Sequence, residues 1–340
     1  MNKKNIDFII YWVDGNDKKW QEKRNLYSPT KTQDAGVNRY RDWENLKYLF
    51  RGIEKFAPWV HKVYFVSDNQ IPEWLNVQCP KLKIIDHKDY MPQEYLPTFN
   101  SRPIELNFHR IRGLSEQFVV FNDDFFITNY VKPTDFFVNG KPKDILMEYP
   151  VMCGGNTITF SNVLVNEFNM LGKYFNRKEY RKKLRKKILS VKYGKYFFYN
   201  MLLYMLPYPR FFGLLTPHFA RPYLKSSFKE LWELEGSALD ELCRNKFKSR
   251  DDMNIYIFRI WNILKGNFIP ANVFKMGKAF MINKEDPTLY KTIEQQKYKL
   301  ICINDDCPDQ YFERIKNRII VSFEKILPEK CSFEREGRQT

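Results

Sequence analysis

The chain has 340 residues, of which 44% are hydrophobic and 17% aromatic, and it contains only 14 glycine and 18 proline residues. This composition excludes a disordered, collagen-like or low-complexity protein and is sufficient for a large core. The 56 basic and 40 acidic residues give a net charge of +16, which indicates an anionic partner: a nucleic acid, a membrane surface, or an acidic or phosphorylated substrate.

The six cysteines are spread along the chain without a C-x-x-C pair, which argues against zinc-ribbon and thioredoxin-like sites. Their number is typical of reduced thiols rather than of a disulfide framework. The first residues lack the apolar region of a signal peptide, and no stretch reaches ~18 uncharged apolar residues. We therefore expect a cytoplasmic protein without a membrane-spanning helix.

Strand and helix patterns alternate over the first 125 residues. This alternation predicts an α/β fold with a mainly parallel, Rossmann-like sheet. The predicted strands are 6–13, 63–66, 82–85 and 118–121, and the predicted helices are 42–56 and 101–113.

Polar clusters follow three of these strands: Asp14–Asp17, Ser67–Asn69 and Asn122–Asp124. Ligands of parallel sheets bind outside the carboxyl ends of the strands. Adjacent carboxylates such as Asp123 and Asp124 can bind a divalent cation that holds a nucleotide diphosphate, although aspartates also cap turns routinely. A late predicted strand, 300–303, ends in a similar Asn-Asp-Asp sequence.

The central part of the chain is strongly basic. Residues 173–195 contain eleven basic residues and one acidic residue, and their apolar positions share one face of a predicted helix. An aromatic and aliphatic segment, 196–206, follows. A basic helix next to such a segment can lie in a membrane interface.

These patterns predict four regions of the chain. They are an α/β core at 1–145, to which the family resemblance given below assigns nucleotide-sugar binding, a basic and aromatic helical insertion at 146–215, helices and a late strand that complete the core at 216–325, and a polar tail at 326–340.

Single residues add candidates. His218, in a proline-flanked loop, is either a general base, a phosphate contact or a solvated residue. His109 and Arg110 lie on the helix before the acidic strand end. Residues 248–252 are predicted to open a helix, where Arg250 either binds phosphate or accompanies ordinary capping. The chain has no P-loop, G-x-G-x-x-G motif or nucleophile elbow, which excludes the common NTPases, dehydrogenases and hydrolases.

Several long segments of the chain resemble the Stealth family. The opening block matches around Trp12–Asp17, and a second block runs from Arg39 to the Phe121–Asp124 segment. Shorter matches surround Thr216–His218 and Ile301–Asp305. Where relatives place an arginine before an Asp-Asp-Met/Ile-Asn sequence, this chain offers Lys248 or Arg250.

The resemblance implies a nucleotide-sugar-transferase-type fold and a sugar-1-phosphate transferase of the bacterial kind. Such an enzyme moves a hexose-1-phosphate, commonly N-acetylglucosamine-1-phosphate, from a UDP-sugar to a hydroxyl of a glycan or lipid-linked glycan and releases UMP. The expected setting is capsular or cell-surface polysaccharide synthesis. We also expect peripheral contact with the anionic inner face of the plasma membrane through residues 173–206.

The resemblance also implies roles for individual residues. His218 is expected to be the general base, with Asp14 and Arg250 as further catalytic residues. The expected donor- and substrate-binding residues are Asp17, Arg41, Asn100, Ser101, Glu105, His109, Arg110, Asn122 and Lys248. The divalent cation, Mg²⁺ or Mn²⁺, is expected on Asp123, Asp124 and Asp305.

Two other functions fit parts of the sequence. A metal-dependent UDP-sugar glycosyltransferase would use the same donor but release UDP. A nucleic-acid-binding protein would explain the net charge, but ten of the sixteen net positive charges lie in residues 173–195 and no nucleic-acid-binding motif is present. We therefore expect no nucleic-acid partner.

Overall fold

A five-stranded central sheet organises the fold, which was analysed in a computed structural model. Strand β1 (Ile6–Tyr11) pairs in parallel with β2 (Val63–Ser67) and with β4 (Gln117–Asn122), and β2 pairs in parallel with β3 (Leu82–Asp86). The fifth strand, β8 (Arg221–Leu224), is antiparallel to β4. This sheet confirms the predicted Rossmann-like α/β class. The structure describes residues 5–28, 41–151 and 160–336.

A second sheet lies against the end of the first. Strand β5 (Phe125–Ile127) follows β4 after a two-residue turn and pairs with β11 (Leu300–Asp305), which is parallel to β10 (Gly277–Ile282). The Ile303 amide also donates to the Asp124 carbonyl at 2.9 Å. The polar residues after β4 and β11 therefore meet at one place. A small third sheet is formed by β6 (Phe137–Val138), β7 (Lys141–Asp144) and β9 (Ile269–Pro270).

Helices cover both sheets. The helices of the described residues are α1 (Lys18–Tyr27), α2 (Leu46–Phe56), α3 (Ser101–Leu106), α4 (Pro133–Phe136), α5 (Phe160–Leu171), α6 (Arg177–Ile188), α7 (Tyr196–Met205), α8 (Lys225–Cys243), α9 (Tyr256–Lys265), α10 (Pro287–Glu294) and α11 (Asp309–Ile326). Among these residues, none of the helices has the length and apolar composition needed to cross a bilayer.

Helix α2 packs unusually close to β5. Its predicted apolar positions, including Leu49 and Ile53, are buried. A Cβ atom added at Gly52 would lie 2.5 Å from the carbonyl oxygen of Ile127, so only glycine permits this approach. The contact fixes the second sheet relative to the first.

Some predicted element bounds are wrong. The helix predicted over 101–113 ends at Leu106, and the one predicted to open at 248–252 begins at Tyr256. The carboxylate of Asp252 accepts from the Ser249 amide at 2.9 Å and from Arg102 at 2.7 Å, so this segment forms a turn pinned to α3. The expected helix N-terminus for phosphate is therefore absent at 248–252.

The segment predicted as a polar tail, 326–340, also contributes side chains to the core. Leu327 and Phe333 are buried, and the Glu334 carboxylate makes a two-pronged ion pair with Arg51 of α2, at 2.7 and 2.9 Å. Residues 327–335 are therefore anchored to the core through four buried side chains, while residues 328–330, 332 and 335 are exposed and 337–340 lie outside the described residues. The other predicted domain boundaries stay predictions.

Candidate active site

A cleft of about 420 Å³ opens where the carboxyl ends of β1, β4 and β11 converge. Nine of the fifteen candidate residues line it together. They are Asp14, Arg41, Ser101, Asn122, Asp123, Asp124, His218, Lys248 and Asp305. The edge of the sheet where the sequence predicted a site is thus where the fold forms its cleft.

Carboxylates dominate one side of the cleft. Desolvation raises the pKa values of Asp123 and Asp124, although Asp123 is open to the cleft, and the Asp123 charge raises that of Asp124 further. Desolvation also raises the pKa of Asp42, with smaller contributions from neighbouring carboxylates that include Asp14. These four aspartates therefore repel one another and favour a bound cation. The sequence patterns did not single out Asp42, although it adjoins the candidate Arg41.

Asp124 has one oxygen available for a ligand. Its Oδ1 atom is buried and has no hydrogen-bond partner in the part of the chain that the structure describes. Buried polar atoms are normally paired, and carboxylate oxygens are preferred ligands of Mg²⁺ and Mn²⁺. Asp123 and Asp124 are therefore suited to hold a divalent cation.

A cysteine missed by the sequence patterns contacts the same carboxylate. The Cys302 thiol, on β11, donates to Asp124 Oδ2 at 3.2 Å. Burial raises the pKa of this thiol well above its ordinary value, so it stays protonated and acts as a donor. The alternation of β11, which puts Cys302 and Asn304 on one face, is the signal that could have indicated it.

His218 faces Asp124 across the cleft. Its Nε2 atom lies 3.9 Å from Asp124 Oδ2, and its Nδ1 atom lies 3.4 Å from the Tyr256 hydroxyl. The ring packs edge-on against Phe125, with 5.2 Å between centroids. Desolvation, followed by the charge of Arg221, lowers the pKa of His218, so the imidazole is neutral near pH 7 and able to accept a proton.

A buried charge cluster fixes the loop that carries His218. Arg259 donates to both carboxylate oxygens of Asp144, at 2.7 and 2.8 Å, and to the Leu215 carbonyl at 3.1 Å. Arg221 donates to the Pro217 carbonyl at 3.1 Å and to Asp144 at 3.4 Å. Both arginines thereby hold the backbone just before His218. The sequence patterns indicated none of these three charged residues.

Asp305 does not fit the metal role expected for it. Its two oxygens accept from Arg41 at 3.1 and 3.2 Å, from Trp43 Nε1 at 3.1 Å and from the Cys307 amide at 2.8 Å. A carboxylate with four such donors has no lone pair directed at the cleft. Asp305 instead holds Arg41, which also stacks over the Phe312 ring, at the rim.

Glu105 lies beneath the cleft rather than in its lining. It is buried, and the Tyr11 hydroxyl lies 2.8 Å from its Oε1 atom and 2.7 Å from Asn122 Oδ1. Burial raises the pKa of Glu105, although its hydrogen bonds with Tyr11 and the Ile255 amide oppose this. Glu105 therefore acts on the cleft through Tyr11, not by touching a sugar.

Five further candidates lie outside the cleft lining for physical reasons. Asp17 caps α1, and Asn100 caps α3 while donating to Asp252 at 2.9 Å. His109 is buried between the Phe228 and Trp232 rings. Arg110 is exposed and lies over Trp232, and Arg250 is exposed away from the cleft. Lys248 and Arg250 are the two candidates for the position where relatives have an arginine, and only Lys248 lines the cleft.

Aromatic rings and one amide complete the site. Trp12, Trp43 and Phe99 line the cleft and offer flat faces on which a nucleobase or sugar can stack. Gln70, after β2, accepts from the Asp14 amide at 2.9 Å and donates to the Asp14 carbonyl at 3.1 Å. Gln70, which directly follows the polar cluster after β2, thus positions Asp14, a role that the sequence did not specify.

Comparisons with known proteins place the chain among relatives that match it over nearly its full length. Residues 39–144, which include residues 39 and 40 outside the described part, match the family described as Stealth protein CR2, conserved region 2. The chain is 37% identical to the capsular polysaccharide phosphotransferase WcwK of Streptococcus pneumoniae, over 98% of this chain and 99% of that one. It is 39% identical to the exopolysaccharide phosphotransferase cps2G of Lactiplantibacillus plantarum, over 97% and 96%.

A third relative is the receptor polysaccharide phosphotransferase WefC of Streptococcus oralis, 38% identical over 98% of this chain and 100% of that one. These relatives are phosphotransferases, and the chain is likewise a transferase. The chain is a member of the Stealth family.

Solved structures give a weaker likeness. A galactosyltransferase, LgtC, overlaps 93% of this chain and 95% of its own with a TM-score of 0.38 and 11% identity. Mouse xyloside xylosyltransferase 1 overlaps 89% and 99% with a TM-score of 0.36 and 10% identity.

Proposed function

We propose that the protein transfers a hexose-1-phosphate, specifically an N-acetylhexosamine-1-phosphate, from a UDP-sugar to a hydroxyl of a glycan or lipid-linked glycan. The proposed setting is capsular or cell-surface polysaccharide synthesis on the cytoplasmic side of the membrane. One observation carries the proposal. In the cleft at the strand ends, the neutral His218 faces a cluster of mutually repelling carboxylates. The chain that carries this arrangement is related over nearly its full length to polysaccharide phosphotransferases.

A divalent cation suits this cleft. Asp123 and Asp124 would hold Mg²⁺ or Mn²⁺, and the unpartnered Asp124 Oδ1 supports this assignment. When bound, the ion would neutralise negative charge on the diphosphate and on the phosphoryl oxygens. Without it, the four aspartates of the cleft would repel an anionic donor.

His218 would supply the base. As the acceptor oxygen forms a bond to the β-phosphorus, His218 takes the hydroxyl proton. The bond between the β-phosphorus and the bridging oxygen breaks, and UMP leaves with the electron pair. Phosphoryl transfer of this kind depends mainly on in-line positioning and charge stabilisation.

Two cations and the aromatic rings would position the donor. Lys248 lines the cleft and is suited to contact phosphate oxygens as a point charge. Arg41 is held at the rim by Asp305, Asp309 and the Cys307 carbonyl, and its remaining Nη1 N–H group could donate to a phosphate oxygen. Trp12 and Trp43 offer rings for the uracil base.

Nucleotide analysis tests the proposal. The purified protein is incubated with an acceptor glycan, a panel of UDP-sugars and Mg²⁺ or Mn²⁺, and the released nucleotide is identified by chromatography. We expect UMP, together with a sugar phosphate on the acceptor. UDP as the only product would overturn the proposal and indicate a metal-dependent glycosyltransferase. The Asp124→Ala variant, which should be inactive, controls for contaminating phosphatases.

A further inference from the structure

Helix α7 presents an apolar stripe to solvent. Phe198, Met201, Leu202 and Met205 occur at the i, i+3, i+4 and i+7 positions of one helix face, and they are 66%, 42%, 60% and 69% exposed. The helix contains no charged residue. Continuous exposed apolar surface of this kind marks an interaction site rather than ordinary surface variation.

The opposite side of α7 is already packed. Asn200 is buried and its amide donates to the Leu146 carbonyl at 2.6 Å and to the Ile188 carbonyl at 2.9 Å. The Tyr196 ring lies against Phe274, with 5.1 Å between centroids. The helix is therefore seated by its other face, and the exposed stripe is not needed to attach it to the core.

A cationic helix flanks the stripe. Arg181 of α6 donates to the Leu206 carbonyl at 3.1 Å and lies over the Tyr204 ring at 4.6 Å. Other α6 cations are exposed, and no carboxylate of the described residues lies within ion-pair distance of them: Lys182, Lys183, Arg185 and Lys186. Apolar and cationic surfaces thus stand side by side on neighbouring helices.

We propose that these two helices, α6 and α7, form a docking surface for the anionic face of a lipid bilayer. Phenylalanine and methionine side chains would enter the boundary between headgroups and acyl chains, while the α6 lysines meet lipid phosphates. A nucleic acid would use the cations but leave the apolar stripe in water. A bilayer satisfies both parts of the surface, and its charge is complementary to theirs.

The inference goes beyond the proposed reaction and does not depend on it. A docked enzyme would be held where membrane-linked acceptors are concentrated. Because the test measures binding to lipid without turnover, failure of the proposed chemistry and failure of the docking surface give different results.

Vesicle sedimentation tests the surface with two variants. The full-length protein is mixed with sucrose-loaded phosphatidylcholine vesicles, with or without phosphatidylglycerol. One variant replaces Phe198, Leu202 and Met205 with serine, and the other replaces Lys182, Lys183 and Lys186 with glutamine. We expect the wild type to bind the phosphatidylglycerol vesicles, and each variant to bind them at least about tenfold more weakly.

Matched controls separate this surface from general effects. Serine replaces three exposed apolar residues of other helices, Leu26, Leu234 and Val321, in one control. Glutamine replaces Lys229, Lys291 and Lys330 in the other, which makes the same change in net charge. Both controls should bind vesicles like the wild type, and thermal melts should show that all four variants are folded.

Three results would overturn the inference. The first is a wild type that does not sediment with phosphatidylglycerol vesicles, and the second is a loss of binding in the controls as large as in the surface variants. The third is a wild-type dimer, seen by light scattering, that does not bind lipid and that the serine variant of α7 converts to a monomer. The stripe would then be a contact between two copies of the chain.

Discussion

His218 is expected to be essential as a base because its imidazole is neutral near pH 7. The His218→Gln variant keeps a polar side chain but cannot take up a proton. We expect kcat to fall by about 10² to 10⁴ while KM for the donor changes little. Steady-state kinetics with saturating divalent cation measures both. A loss of less than tenfold would show that another group takes the proton.

The pH dependence of the wild type should follow the same residue. Desolvation and Arg221 lower the pKa of His218, so its base form persists below the ordinary imidazole pKa of about 6.5. The acid limb of the kcat/KM profile should therefore lie below pH 6.5. An acid limb above that value would contradict the assigned environment of His218.

His109 should control acid stability rather than substrate binding. Burial, with Arg110, lowers its pKa to about 3, below the value of about 6.5 in the unfolded chain. The stabilisation of the folded state by neutral His109 is therefore complete above pH 6.5 and declines as the pH falls towards 3. The part of the free energy of unfolding that is due to His109 should drop by about 1.4 kcal/mol per pH unit between pH 6.5 and 3.

Urea unfolding across this pH range checks the prediction. His109→Phe preserves contact with the Phe228 and Trp232 rings but removes the titrating group. The variant should lose less stability on acidification and keep its KM for the donor. Equal acid sensitivity in both proteins, or a large rise in KM, would contradict the packing role.

At the residue scale, the sequence could predict side chains whose placement follows from the sheet alone. Asp14, Asp123 and Asp124 follow parallel strands, whose carboxyl ends share one edge, so they had to meet. His109 could not be placed in this way. Its environment is set by rings of α8, more than a hundred residues away in the chain, and helical periodicity does not indicate which face a distant element covers.

At the scale of elements, the Asp144 cluster should position the His218 loop. In Asp144→Asn, Arg221 and Arg259 lose the carboxylate that balances them, and their hold on the Leu215 and Pro217 carbonyls weakens. Breaking a buried ion pair costs about 3 to 5 kcal/mol, so the melting temperature should fall. Below that temperature, kcat should fall more than KM rises.

A surface pair provides the control for this prediction. Asp135 of α4 accepts from Lys299 at 2.6 Å, and both side chains are partly exposed. Asp135→Asn should change the free energy of unfolding by about 1 kcal/mol or less and leave kcat unaltered. If Asp144→Asn lowers stability but leaves kcat intact, the cluster is structural only.

Element types were largely predictable, but some boundaries were not. The amphipathic pattern predicted the basic helix, because the apolar positions of a helix recur with the helical period. The segment 248–252 has the residues of a helix start. Its Asp252 carboxylate is instead held by Arg102, a contact across about 150 residues that no local pattern contains.

At the scale of the whole molecule, the C-terminal segment packs against elements from the first 80 residues of the chain. Glu334 forms a β-bridge with Leu75 and an ion pair with Arg51, so residues 327–335 connect α11 to α2 and to the loop between β2 and β3. Composition predicted a polar tail because charged residues surround Phe333. It could not show that Glu334 has a buried partner far along the chain.

The Glu334→Gln variant tests how much this closure contributes. It removes the two-pronged partner of the buried Arg51 guanidinium but leaves Glu324 at 3.3 Å, so we expect the free energy of unfolding to fall by about 3 kcal/mol, the lower end for a broken buried pair. Glu285→Gln breaks an exposed pair with Arg314, whose atoms lie 2.8 Å apart, and should cost about 1 kcal/mol or less.

Denaturant unfolding of both variants gives the comparison. The chain ended after residue 326 should be less stable still, because it also removes the buried Leu327, Cys331 and Phe333 side chains. Similar decreases in the free energy of unfolding for Glu334→Gln and Glu285→Gln would mean that the C-terminal segment covers the core without stabilising it through this ion pair. A large difference between them would make the last residues of the chain a structural requirement for a site formed mainly by its first 125 and by β11.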